Sequence, residues 1–230
     1  MTDDWWEDNN SSLLKLDTLD IKFDMEFMHD RDVDFVRWLA SCVDDRKDPG
    51  PWIAGGACLR WYQRQPATTD IDIFFNNKYQ WAQFKDRLVA KLGDVYDVFL
   101  NRDGKLIDAP FQSGNAITFQ IKFQGNKTYK VQLILKKFFK SAQAVIDRFD
   151  ISVCQIAIDL SDTQGPITVG EYFTRDVAAK QFRINDITES TVSRVFKYIC
   201  YGYEPVAEVK DKILASDSKT WNIPGDYHAF

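Results

Sequence analysis

Two aspartates one residue apart, Asp70 and Asp72, sit among apolar neighbours in Thr69-Asp70-Ile71-Asp72-Ile73-Phe74. The alternation predicts a strand, whose period of two turns both carboxylates to one face and both isoleucines to the other. Carboxylates about 7 Å apart along a strand can converge on hard cations that take oxygen ligands. A two-metal site activates an attacking hydroxyl and neutralises charge on a triphosphate. Acids on the wet face of a surface strand share this spacing, so the pair acquires meaning only from its context.

That context lies upstream. An apolar run, Trp52-Ile53-Ala54, reads as a short buried strand that Gly55-Gly56 turns into a helix reaching about Gln63. Glycines there let the backbone approach a phosphate, and N–H groups at a helix start favour an anion, although a packing turn uses the same dipeptide. Arg60 lies on that helix, placed either to neutralise phosphate or to pair with an acid. Gly56 precedes Asp70 by fourteen positions. Neither a G-x-x-x-x-G-K-[ST] loop nor a G-x-G-x-x-G fingerprint occurs. His29 and His228 have no Ser or Cys motif beside them, so a hydrolytic triad has no support.

The flanking elements follow from periodicity. Val33, Val36, Leu39, Ala40 and Val43 predict a helix over 31–43, stopped by Asp48-Pro49-Gly50-Pro51. A second helix is predicted over about 77–92 from Trp81, Phe84, Leu88 and Leu92. Strands are expected at Val95–Leu100, Ile117–Phe123 and Tyr129–Leu135, the last two joined by a Gly125-Asn126 turn. A short helix near 141–148 and a strand Ile151–Leu160 come next. Val192, Val195, Phe196, Ile199, Cys200 and Tyr203 then form one apolar helical stripe, with Arg194, Lys197 and Tyr201 on another face. This order predicts an α+β fold: a mixed β-sheet core with flanking helices and a helical C-terminal portion. The expected divisions are an acidic lead-in over 1–30, the core over 31–160 and a mainly helical subdomain over 161–230.

The arrangement resembles the nucleotidyltransferase superfamily typified by DNA polymerase β. The match is carried by Ile53-Ala54-Gly55-Gly56 and Thr69-Asp70-Ile71-Asp72-Ile73-Phe74. The resemblance implies that Gly55 and Gly56 contact the triphosphate of a nucleoside triphosphate such as ATP. It also implies that Asp70 and Asp72 bind magnesium or manganese, and that Arg60, Arg194 and Lys197 help hold the phosphates. Members carry a third carboxylate on a later strand. Here the strand Tyr129–Leu135 offers Gln132, and Asp150 is the alternative third catalytic acid. An amide can coordinate a cation but cannot act as a base at neutral pH. The implied activity moves a nucleoside monophosphate to a hydroxyl on an RNA end, a nucleotide, a protein or a small molecule. Gly55-Gly56-Ala57-Cys58-Leu59-Arg60 also looks like the start of a CCA-adding tRNA nucleotidyltransferase. The alternative is a catalytically degenerate nucleotide-binding or regulatory module of the same fold.

Composition frames these readings. The chain has 230 residues, 45% apolar and 14% aromatic, enough for one packed core. No apolar run approaches the roughly 18 residues needed to span a bilayer, and no secretory leader is evident, so no membrane partner is expected. Cys42, Cys58, Cys154 and Cys200 are scattered without metal-site spacing, which predicts a reduced, cytoplasmic protein. The net charge of −5 disfavours a general duplex-DNA binder. Residues 1–34 carry −8, with Trp5, Trp6, Leu13 and Leu14 suited to docking, whereas 122–148 carry +6. The basic segment suits either a solvated surface or a phosphate-rich acceptor.

Overall fold

The computed structural model describes residues 28, 30–44, 48–68, 70–95, 111–112, 115–124, 127–188 and 190–209. The lead-in to residue 27, His29, the expected strand past Val95, the Gly125-Asn126 turn and His228 lie outside the described residues.

Helix α1 (Asp30–Ala40) buries Val33, Phe35, Val36 and Leu39. Strand β1 (Trp52–Ala54) is buried on both faces and passes through Gly55 into α2 (Gly56–Tyr62). In β2 (Ile71–Phe74) the two isoleucines are fully buried, whereas Asp72 and Phe74 stay partly open on the other face. Helix α3 (Lys78–Val95) ends at the residue where a strand was expected to begin. Strands β3 (Phe111–Gln112), β4 (Ala116–Phe123) and β5 (Lys127–Ile134) follow, the last two in a continuous antiparallel ladder from Ala116↔Ile134 to Phe123↔Lys127.

After α4 (Ala142–Ile146), the expected strand Ile151–Leu160 is divided. Ile151 bridges to Ile184, Ser152–Cys154 form a 3-10 turn, and only Ile156–Asp159 make β6. Ser152 causes the break by diverting bonds from the ladder. Its hydroxyl donates to Asp176 at 2.6 Å and accepts the Arg183 N–H at 2.9 Å. Residues beyond 160 supply β7 (Thr168–Val169), α5 (Phe173–Ala178), β8 (Gln181–Phe182), α6 (Thr191–Cys200) and β9 (Glu204–Pro205).

Seven strands form one sheet in the order β3-β4-β5-β2-β1-β6-β7, while β8 and β9 pair separately. Within the large sheet β2 runs parallel to β5, and the other pairings are antiparallel. The fold is α+β with a mixed sheet, as the element order predicts. One sheet face, carrying Ile53, Ile71, Ile73, Val131 and Leu133, enters the main core with α1 and α2. Its opposite face is apolar only beneath α4, where Trp52 and Ala54 meet Val145 and Ile146, with Phe74 packed alongside. Past that cover the same face turns polar at Asp72, Gln132 and Thr118, residues that the β2–β5–β4 register places side by side. Among the described residues no helix is long and apolar enough to cross a membrane.

The stripe expected on α6 is rotated. Thr191, Val192, Val195 and Tyr198 are buried, whereas Phe196 and Ile199 remain 48% and 45% exposed and Cys200 is exposed. The cause is polar: buried Asp150 accepts hydrogen bonds from Thr191 Oγ1 and Arg194 Nη1, both at 2.6 Å, and draws the 191–194–198 face inward.

A second buried carboxylate ties the opposite side of the domain. Asp32 on α1 has no solvent exposure and accepts from Trp61 Nε1 (2.9 Å), the Ala67 N–H (2.8 Å), Tyr129 Oη (2.7 Å) and Lys127 Nζ. Burial pushes this carboxyl up, but the bonds from Lys127, Ala67, Tyr129 and Trp61 outweigh it and hold it below the usual carboxylate range. Replacing Asp32 with alanine strands those donors in a dry site, a loss of about 3–5 kcal/mol. A denaturation midpoint lowered by that amount is expected, and a midpoint within about 1 kcal/mol of native would show the knot to be dispensable.

Candidate active site

The Gly-Gly turn, β2 and β5 meet at a cleft of about 420 Å3. In the sheet, Asp72 lies opposite Ala54 on β1, the residue before Gly55, and opposite Gln132 on β5. The turn that would receive phosphate and the acids that would hold a cation are therefore neighbours. Gly55 has φ of +90°, and a Cβ there would stand 3.0 Å from the Phe149 ring. Both constraints demand glycine. Gly56, the first residue of α2, lines the cleft.

Asp70 and Asp72 both line the cleft but have different surroundings. One oxygen of Asp70 accepts from Lys130 Nζ and from Gln132 Nε2, each at 2.8 Å. Asp72 makes no hydrogen bond to a described residue, and its carboxyl is pushed up to about 7, by burial first and then by the charge of Asp70. Lys197, Arg194 and Lys130 oppose that rise without cancelling it. Two carboxylates on one face, one of them destabilised as an anion, suit a dication, and the Gln132 side chain adds a neutral oxygen donor. The donor set fits magnesium or manganese. Among the described residues no group of three or more His, Cys, Asp and Glu could hold a metal, so any such site rests on this pair.

Arg194 and Lys197 on α6 line the opposite wall with Tyr198 and Tyr201. Arg194 reaches the cleft while its Nη1 is held by Asp150. Asp150, named as the alternative third acid, is 2% exposed, has both oxygens engaged by α6 and is absent from the cleft lining. Arg60 also lies apart from the carboxylates: its Nε donates to the Pro66 carbonyl at 2.9 Å and its side chain lines a neighbouring cavity. Sequence reasoning missed Lys130, although period-two alternation puts it on the Gln132 face of β5. Phe149 and Cys154 also line the cleft, with Cys154 Sγ donating to Tyr198 Oη at 2.8 Å, and no local pattern marks either of them.

The state of Asp72 has a measurable consequence. Its carboxyl titrates near 7 in the fold and near 3.9 when unfolded, so the folded state binds more protons between those values. Stability of the metal-free protein therefore falls as pH rises through that window. Thermal melts in chelator should show Asp72→Asn gaining on the native chain from about pH 4 to pH 7 and then levelling. Parallel curves would mean that the carboxyl is not strained.

Comparison with known proteins places the fold. A structure titled as the complex of CCA-adding enzyme with ATP superposes with a TM-score of 0.53 at 15% identity, covering 82% of this chain and 42% of that one. The Thermotoga maritima CCA-adding enzyme complexed with tRNA gives 0.53 at 15% identity, covering 83% and 42%. An apo form of CCA-adding enzyme gives 0.54 at 15%, covering 84% and 43%. At that identity the likeness shows a nucleotidyltransferase-like fold, and the chain spans less than half the length of these structures. No curated protein matches. The sequence model of the Gabija anti-defense 2 family matches residues 31–180, well over half of the sequence, and the chain belongs to that family.

Proposed function

We propose that this protein is a metal-dependent nucleotidyltransferase that moves a nucleoside monophosphate from a nucleoside triphosphate to a hydroxyl acceptor and releases pyrophosphate. The observation that carries the reading is the register that sets Asp72 beside both Ala54, which leads into the Gly55-Gly56 turn, and Gln132, at the floor of a cleft walled by Arg194 and Lys197. Likeness to enzymes solved with ATP, CTP and tRNA supports nucleotide and RNA as substrate classes.

In this reading Asp70 and Asp72, with the Gln132 oxygen, would hold magnesium or manganese. The ion would supply neutralisation of the triphosphate and polarisation of the acceptor hydroxyl. Gly55 and Gly56 let the phosphates approach the backbone, and Arg194 and Lys197 face their negative charge. An acceptor oxygen forms a bond to the α-phosphorus as the α–β anhydride bond breaks, and pyrophosphate departs. Gln132 cannot take the acceptor's proton, which passes to a carboxylate of the β2 pair or to water. Asp150 keeps Arg194 aimed. The acceptor is an RNA end, a nucleotide, a protein or a small molecule. By its family's name the protein acts against the Gabija defence, and we read the cleft as the means and the cytoplasm as the place.

Gln132 also favours a second reading, a degenerate module that binds nucleotide without transferring it. The two separate in one assay: pyrophosphate release from each ribonucleoside triphosphate, with magnesium or manganese and total cellular RNA. Release by the native chain, reduced at least about 1,000-fold by Asp72→Asn, is expected of the transferase. Metal-dependent nucleotide binding without release would favour the module, and undiminished release by the variant would sink the metal assignment.

A further inference from the structure

Behind the wall formed by Lys197, Tyr198 and Tyr201 lies a second cavity of about 100 Å3, which shares Gly56 with the cleft. Three cations from separate elements line it: Arg60 of α2, Lys197 of α6 and Lys180 of the turn between α5 and β8. Among the described residues none of the three has an ion-pair partner and no carboxylate lines the space. Lys197 has the charge of Asp72 across the shared wall, whereas Arg60 and Lys180 line the cavity without one among the described residues, and an anion relieves their repulsion. The remaining polar lining adds donors. Tyr203 Oη accepts from Gln63 Nε2 at 2.7 Å, which leaves its own proton to give.

Lys180 supplies the second, independent sign. It follows α5 with φ of +53°, the left-handed position at a helix end that glycine occupies with least strain. A lysine held there places its ammonium 4.6 Å from the Tyr203 ring centroid, at the cavity. Backbone geometry calls for glycine, so the side chain is what the position gains. The volume is well below the roughly 300 Å3 at which small-molecule sites begin, too small for a nucleoside.

We propose that this cavity is an oxyanion subsite that takes one phosphoryl group, held by Arg60 and Lys180 beside the transferase cleft, with Lys197 on the wall between the two. Its part in catalysis rests on the transferase reading, whereas its affinity for phosphate does not. The group belongs either to the far end of the nucleotide's phosphate chain or to a phosphorylated acceptor.

The test is calorimetric titration of the full chain with pyrophosphate in chelator. The native chain is expected to bind, and Lys180→Gly to bind about tenfold or more weakly, the loss of one charge-assisted contact. Its melting temperature should be unchanged or raised, because glycine relieves the turn. Lys122→Ala, which removes an exposed cation of β4 outside the cavity, should bind as the native chain does. No binding by the native chain, or equal weakening by both substitutions, would overturn the subsite in favour of diffuse charge. Titration with ATP and AMP identifies the source, and either result supports the site. Weakening of ATP but not AMP in Lys180→Gly assigns the group to the nucleotide, and ATP unchanged beside weakened pyrophosphate assigns it to the acceptor. The Asp70→Asn, Asp72→Asn double variant should retain pyrophosphate binding. A native chain that releases no pyrophosphate from any nucleotide yet binds pyrophosphate through Lys180 would count against the transferase and spare the cavity.

Discussion

The cleft depends on the carboxylate of Asp150. A carboxyl group this deeply buried is costly unless a counter-charge and hydrogen bonds surround it, and Arg194 and Thr191 supply them from one helix. Because both donors lie on the 191–194–198 face, the pair fixes the rotation of α6 as well as its position. Lys197 and Tyr201, which neighbour that face, are thereby aimed across the Gly-Gly turn. The same rotation leaves Phe196 and Ile199 about half exposed.

Three carboxylates in the fold illustrate how burial separates scaffold from chemistry. Asp32 and Asp150 are surrounded by donors that satisfy their oxygens. Asp72 is burdened by its surroundings and by Asp70, and has no described donor to settle it. A group that the native fold leaves dissatisfied is one that a ligand can relieve. Asp70 occupies the middle ground, with Lys130 standing at one oxygen where a metal ion would compete with it.

Local spacing made half of the site readable. Gly55, Gly56, Asp70 and Asp72 each belong to a strand, a turn or a helix start whose geometry a few residues determine. Arg194 and Lys197 were legible as a helix face. Gln132 was recognised on its strand, but its register opposite Asp72 comes from a parallel pairing of residues sixty positions apart, which no local period encodes. The pairing of Asp150 with Arg194 stayed hidden for a related reason: a turn residue between helix and strand looks the same whether its partner is water or an arginine forty-four positions away. Helix α6 was misoriented because an apolar count gives polar anchors no weight. Lys180 left no trace, since a left-handed turn is expected of glycine.

The pairing of β2 with β5 and of β1 with β6 bears on how the molecule assembles. Asp72 meets a residue sixty positions downstream and Ala54 one more than a hundred downstream, so the middle of the sheet is stitched from distant segments. The β3–β4, β4–β5, β6–β7 and β1–β2 pairs, by contrast, join neighbouring segments and have little loop entropy to overcome. Until β5 and β6 dock, β1 and β2 are a narrow ribbon with two open edges, and the carboxylates have neither their amide neighbour nor the basic helix facing them. The cleft is thus among the last parts of the chain to come into being. A nascent or partly unfolded copy holds the conspicuous sequence motif without the site.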